Sequence, residues 1–454
     1  MAVPREFFSP ESVAVIGASR HPGKIGHEIL WNFARGFYEG KTFPINPHSE
    51  NILELKTHKS VLDVPDKVDL AIIAIPAEGV AGALKECVQK KIPAVVIISG
   101  GFAEVGEDGK EREEELKKIV KNSNTKVIGP NCVGVFDSKT QVDTLFLSRS
   151  RLLRPKKGNI AFVSQSGAVG TTIMDYLAAN GLGLSKFISY GNQVDVDETN
   201  LLEFLGKDDE TKVIAAYIEG LKDGQKFLDV ARKLKKPLIV LKAGKTAHGS
   251  QAVVSHTGAL AGSAEIYSGA FKQVGVLEAR NWEELFDYAK AFSMQPIPHG
   301  NKIAVVTDGG GFGVLATDAA EKNNLILLEP SRKLLQKFNG FPAHASLKNP
   351  IDLTGDADVE RYKLAVESCL ASDEFDAVIV ITLFQVPALS ANVDDALIEL
   401  SRRYNKTIVA CAAGSHYTQQ LVRKLESGGI PVYPTPERAV GALRAMLKYK
   451  NFKV

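Results

Sequence analysis

Short runs of apolar, mostly β-branched residues recur along this chain, and they constrain its fold more than any other feature. In the first third they are Val13–Ile16, Asp69–Ile75, Ala94–Ile98 and Lys126–Ile128. A sheet with one wet face alternates polar and apolar residues, so runs without alternation fit strands covered by helices on both faces. Helical periods lie between them. Ile25, Ile29, Phe33 and Phe37 recur at every fourth position on one predicted helical face, and Glu111–Lys121 reads as a charged helix turning Leu116, Ile119 and Val120 inward. Strands alternating with helices in this way build parallel βαβ units.

An internal echo supports a division into several such units. Ile160–Gly170 (IAFVSQSGAVG) aligns without gaps on Ile303–Gly313 (IAVVTDGGGFG), each an apolar strand running into a turn and then a helix. The offset is far too long for a solenoid repeat. Two proline-bearing connectors separate the units: a basic one containing Arg149, Arg151, Arg154, Pro155, Lys156 and Lys157, and Gln295–Gly300. The expectation is α/β: three consecutive Rossmann-like or flavodoxin-like domains with mainly parallel sheets, at 1–150, 151–296 and 297–454.

Composition narrows the function. With 55 basic and 53 acidic residues in 454, the chain lacks the concentrated positive charge of a nucleic-acid or membrane-surface binder. The N-terminus carries Arg5 and Glu6 with no apolar core behind them, and the apolar stretch Ala377–Val393 is broken by Gln385, Pro387, Ser390 and Asn392. A cytoplasmic protein without a signal peptide or membrane span is expected. Cys87, Cys132, Cys369 and Cys411 are far apart, with no CxxC and no Cys/His cluster, so buried small residues are expected rather than disulfides or a metal site.

The chemistry should lie where strands run into turns. Gly17-Ala18-Ser19 follows the first strand, with Lys24 nearby; free backbone N–H groups there suit a phosphorylated nucleotide, although an isolated turn of this kind also serves simply to join strand and helix. Ser19 stands where a dinucleotide fingerprint has its second Gly, and the second strand region Thr42–Pro47 offers no acid for a ribose. Ile75-Pro76, Ser99-Gly100-Gly101-Phe102 and Gly129–Gly134, which includes Asn131, also follow strands and should line the same sheet edge. Farther on, Ser164-Gln165-Ser166-Gly167 stands just before a helix, where the N–H groups of Gly167 and Ala168 could receive a phosphate; Ser166 fits an ordinary N-cap equally well. Its echo Thr307–Gly311 is a poorer anion site because Asp308 would repel the ligand.

The segment Lys242–Gly262 is rich in small and hydroxyl residues and carries His248 and His256. His248 reads as a solvated loop residue. His256 precedes another turn into a helix, and Glu219, at the end of strand Val213–Ile218, should lie on the same edge. A carboxylate bonded to one ring nitrogen leaves the other as a nucleophilic lone pair; as a lone feature, Glu219 reads equally as a rim carboxylate.

Together with Tyr190-Gly-Asn-Gln193, Tyr217-Ile-Glu-Gly220, Ser255–Gly262 and Asn349-Pro-Ile-Asp-Leu353, these motifs give a chain that resembles the α subunit of ADP-forming acetyl-CoA synthetases, relatives of succinyl-CoA synthetase. The resemblance spans essentially the whole chain. It implies that residues 1–150 bind CoA, with Gly17, Ala18, Ser19, Lys24, Ile75, Pro76, Ser99, Gly100 and Asn131 as contacts. It implies a transiently phosphorylated His256 oriented by Glu219, with phosphate cradled by Ser164, Gln165, Ser166 and Gly167. The implied reaction is acetyl-CoA + ADP + phosphate giving acetate + ATP + CoA, through acetyl phosphate and a phosphohistidine. ADP, ATP and magnesium would sit mainly on a separate ATP-grasp β subunit in an α2β2 assembly, with no metal on this chain. Two rivals are an NAD-dependent dehydrogenase, disfavoured by the missing fingerprint, and a non-catalytic CoA-binding or sensing subunit.

Overall fold

A computed structural model describes residues 2–251, 263–389 and 392–453. The chain divides into two compact units, 1–280 and 281–454. In the first, β1 (Ser12–Ile16) pairs with β2 (Lys41–Ile45) on one side. A small antiparallel hairpin of β3 (Asn51–Ile52) and β4 (Leu55–Lys56) follows. On the other side of β1 come β5 (Leu70–Ile73), β6 (Ala94–Ile97) and β7 (Lys126–Ile128), giving a parallel sheet of order β2-β1-β5-β6-β7. Val13 and Val15 join one buried apolar cluster while Ala14 and Ile16 join another. Both faces of the strand are therefore dry, which is why its sequence does not alternate.

Helices α1 (Ile25–Ala34), α2 (Ala77–Gln89) and α3 (Glu107–Lys121) connect these strands. The apolar stripe expected on α1 is shorter than its spacing suggests. Ile29 and Phe33 are buried, but Ile25 and Phe37 are exposed. The helix ends at Ala34, with Arg35 N–H bonding back to Trp31. A Cβ on Gly36 would stand 2.0 Å from the Asn32 carbonyl oxygen, so Gly fits the close chain exit that carries Phe37 off the buried face.

Strand β8 (Gly134–Asp137) pairs antiparallel with β10 (Leu184–Ser189) at the edge of a second, otherwise parallel sheet. Its other strands are β9 (Lys157–Ser164), β11 (Val213–Ile218), β12 (Leu238–Lys242) and β13 (Leu277–Ala279), in the order β13-β12-β11-β9-β10-β8. Helices α4 (Gly167–Ala179), α5 (Glu198–Lys207) and α6 (Gly224–Lys233) belong to this part of the chain. The basic connector is anchored internally: Arg149 Nη2 and Arg154 Nε lie 3.0 and 2.9 Å from the fully buried carboxylate of Asp143.

The second unit holds a parallel sheet of β14 (Lys302–Thr307), β15 (Ile326–Leu327), β16 (Ile351–Asp352), β17 (Ala377–Ile381), β18 (Thr407–Cys411) and β19 (Val432–Tyr433). The helix Trp282–Met294 folds with it, its Phe292 ring 5.5 Å from that of Tyr449 on the C-terminal helix Pro436–Lys453. The echoed segments are interior strands of their own sheets, β9 and β14, each leading into a helix that starts at Gly. All four cysteines are free and buried. No helix among the described residues is long and apolar enough to cross a membrane.

Candidate active site

In the first sheet the strand order reverses at β1, with β2 on one side and β5 on the other; the crevice at the carboxyl ends beside such a reversal is where open α/β sheets take ligands. Gly17, just past β1, has φ +91°, and a Cβ there would lie 2.3 Å from the Ala74 carbonyl oxygen. Only Gly permits this approach of two neighbouring strand ends. The hydroxyl of Ser19 accepts from the His21 N–H at 3.2 Å, and the Ala18 carbonyl accepts from Asn46 Nδ2 at 2.7 Å. Lys24, exposed, stands at the N-cap of α1.

The adjoining strand ends are stitched to one another. Ser99 Oγ donates to the Ile75 carbonyl at 2.6 Å, and the Asn131 N–H donates to the Ser99 carbonyl at 2.9 Å. Pro76 is the N-cap of α2. Gly17–Ser19, Ile75-Pro76, Ser99-Gly100 and Asn131 thus follow four successively paired strands, β1, β5, β6 and β7, along one edge. The first-sheet residues singled out from the sequence are brought together by that register.

In the second sheet, β9 ends at Ser164, which is completely buried. Its hydroxyl donates to the Ser166 carbonyl at 2.6 Å and braces the turn from behind. Ser166 caps α4, accepting from the Val169 N–H at 3.4 Å. The first N–H groups of α4 have no partner within the helix and point outward at its positive end. Gln165 reaches sideways: its Oε1 accepts from the N–H groups of Glu219 and Gly220 at 2.8 and 3.1 Å. That contact is possible because β11, which delivers Glu219, is the direct neighbour of β9.

Glu219 is buried, 4% exposed. Burial, together with the charge and hydrogen bonding of Glu219, pushes the Tyr217 phenol up to about 12. Lys242, at the end of β12, donates to the Glu219 carbonyl at 2.7 Å and holds its ammonium 4.6 Å from the centre of the Tyr267 ring. Burial pulls the Lys242 ammonium below its usual value, with Glu219 opposing that pull. His256 lies outside the described residues, in the segment that leaves β12 and is described again from Ser263. Among the described residues no group of three or more His, Cys, Asp or Glu side chains could hold a metal ion.

Several polar residues at this edge carry contacts that the sequence did not assign. Asn192, inside Tyr190-Gly-Asn-Gln193, donates to Glu104 and Glu113 at 2.7 and 3.0 Å. Lys222 donates to the carbonyls of Asn192 and Gln193 at 2.9 and 2.6 Å. Glu198, the first residue of α5, is buried, and burial pushes its carboxyl up to about 7. The available signal was position: Tyr190–Gln193 directly follows β10, and Lys222 comes three residues after Glu219.

Comparison with known families identifies three consecutive modules: a CoA binding domain over 11–137, a succinyl-CoA ligase like flavodoxin domain over 157–292, and a ligase-CoA domain over 303–452. This is the domain series of a CoA ligase. Across 98% of its length the chain is 41% identical to the α subunit of acetate–CoA ligase (ADP-forming) I from Pyrococcus furiosus, covering 97% of that protein. It is 39% identical to the 4-hydroxybutyrate–CoA ligase (ADP-forming) of Nitrosopumilus maritimus, over 98% of this chain and 64% of that longer one. Among solved structures, acetyl-coenzyme A synthetase 1 of Ca. Korarchaeum cryptofilum, described as dinucleotide forming and in complex with phosphate and ADP, superposes with a TM-score of 0.93 at 38% identity, covering 100% of this chain and 98% of that one. The chain belongs to the family of ADP-forming acetate–CoA ligase α subunits.

Proposed function

We propose that this chain binds an acyl-CoA, acetyl-CoA in the first instance, at the carboxyl edge of the first sheet and transfers its energy to phosphate at that of the second. The observation that carries the reading is the joint held by Gln165, which brings the N-terminus of α4 and the strand end bearing Glu219 together. Gly17, Ala18, Ser19, Lys24, Ile75, Pro76, Ser99, Gly100 and Asn131 serve the CoA. The open N–H groups at Gly167 and Ala168, with Gln165 and Ser166, hold phosphate, while Ser164 braces the turn.

Phosphate held there attacks the thioester carbonyl carbon. An O–C bond forms, the C–S bond breaks, and the thiolate leaves with the proton lost by phosphate, giving acetyl phosphate and CoA. The imidazole of His256 then attacks phosphorus and acetate departs, leaving an N–P bond. The helix's positive end stabilises the charge on the equatorial oxygens in both steps, and Glu219 keeps the imidazole in its nucleophilic tautomer. The phosphoryl group passes finally to ADP.

ADP and magnesium are assigned to an ATP-grasp β subunit, in a cytoplasmic α2β2 assembly. Two relatives carry the name α subunit, and the 4-hydroxybutyrate relative is a longer single chain. The test is phospholabelling of the assembled enzyme. The wild type should form an acid-labile, alkali-stable phosphoprotein, and His256→Ala should form none; undiminished labelling in the variant rejects the assignment.

A further inference from the structure

The CoA edge and the phosphoryl edge belong to different sheets, yet a continuous hydrogen-bonded route joins them within the first compact unit. On the first sheet, Glu104 Oε1 accepts from the N–H groups of Gly101 and Phe102 at 2.6 and 3.1 Å, closing the loop that starts at Ser99-Gly100. Its other oxygen is held by Asn192 Nδ2, which also bonds Glu113, while Asn192 Oδ1 accepts from Asn131 at 3.3 Å. The backbone around Asn192 is bonded to the first sheet as well. Its N–H donates to the Pro130 carbonyl at 2.9 Å and that of Val194 to the Gly129 carbonyl at 3.1 Å. At Gly191 the two segments run so close that a Cβ would lie 2.2 Å from the Pro130 carbonyl oxygen.

From the other side, Lys222 Nζ grips the carbonyls of Asn192 and Gln193. Lys222 follows Glu219 and Gly220, whose N–H groups are the ones held by Gln165 of the phosphate turn. Burial alone would raise the Glu104 carboxyl, but the bonds from Asn192, Phe102 and Gly101 outweigh it and hold the group below its usual range, so it stands ionised between these donors.

We propose that Asn192 and Lys222 are positioning residues that couple the acyl-CoA loop of the first sheet to the phosphoryl end of the second, so that occupancy of one edge sets the affinity of the other. The inference rests on the functional reading above. It adds that the two substrates are read jointly, through the segment that bonds to both edges.

Coupling of this kind is reciprocal and is measured as a ratio of affinities. CoA would be titrated calorimetrically into the assembled enzyme, with and without saturating inorganic phosphate. In the wild type, phosphate should change the CoA affinity by about fivefold or more. Asn192→Ala and Lys222→Met should each bring that ratio to within about twofold of unity, and the double variant should lose no more than either single one. Lys222→Arg, which can still donate to two carbonyls, should restore it. Because the Lys222 side chain reaches solvent, its variants carry the test even if Asn192→Ala melts early. Variants that keep the wild-type ratio, or a wild-type ratio of one, overturn the coupling while leaving the functional reading intact. A wild-type enzyme that binds no CoA removes both.

Discussion

The side-chain carbonyl of Gln165 lies against the backbone of Glu219, accepting its N–H at 2.8 Å and that of Gly220 at 3.1 Å. One carboxamide thus holds the Ser164–Gly167 turn, the proposed phosphate site, and the carboxylate-bearing strand end in a single geometry. Gln165→Leu leaves both buried N–H groups without their acceptor, at about 1–3 kcal/mol each, and should lower both the thermal midpoint and kcat. Gln165→Glu keeps an acceptor but adds a negative charge beside the anion. It should raise KM for phosphate, as steady-state kinetics in the acyl phosphate direction would record, and lower the thermal midpoint at pH 8, because the added carboxylate is buried.

Glu219→Gln retains the backbone contacts that place residue 219 and removes only the charge. Phosphohistidine formation, followed by rapid quench, should slow by about 10- to 100-fold, the range seen when the carboxylate partner of a metal-bound histidine is removed. CoA affinity should be unchanged. A variant phosphorylated at the wild-type rate would take Glu219 out of the mechanism.

Glu198 supplies a pH test of the buried edge. Its carboxyl is pushed up to about 7 from 4.5, first by burial and further by Asp197, against the backbone N–H, Lys222 and Lys226. A raised acid binds its proton more tightly in the folded state. Its penalty is therefore absent below the unfolded value of 4.5, grows as the pH rises to about 7, and is constant above that. Glu198→Gln should stabilise the protein at pH 8 by about 3 kcal/mol at most and make little difference at pH 4.5, where the wild-type carboxyl is itself neutral. Thermal midpoints of both proteins across that window are the measurement.

Asp143 is fully buried and balances two guanidinium groups, with Arg149 at 3.0 Å and Arg154 at 2.9 Å. Asp143→Asn leaves the buried Arg154 and the partly exposed Arg149 without their counter-charge. It should destabilise the first unit by about 3–5 kcal/mol, read as a fall in the urea midpoint, whereas Asp66→Asn, whose Lys41 pair is exposed, should cost less than about 1 kcal/mol.

Much of the architecture follows from local chemistry and was legible in the sequence. Apolar runs such as Leu70–Ile73 and Ala94–Ile97 read as strands with two dry faces, because they are short, rich in β-branched residues and bounded by turns, where a buried helix would run longer. Gly17 and the Ser164–Gly167 turn mark strand ends by steric and capping rules that act within a few residues. The motifs of the family were legible for the same reason: each is a short local arrangement.

What needed the tertiary structure is every contact between residues distant in sequence. Phe37 has the spacing of a buried helical residue yet lies past the end of its helix, since periodicity does not show where a chain must turn. Asn192 looks like any loop amide until its segment runs beside the first-sheet turns and meets Glu104, 88 residues away. Nothing in the sequence shows that the Ser164 hydroxyl donates to the Ser166 carbonyl. A polar side chain has several possible partners, and sequence order does not choose among them. Strand order and register do, because they decide which donors and acceptors come within reach of one another, and an unmade hydrogen bond is costly where water is excluded.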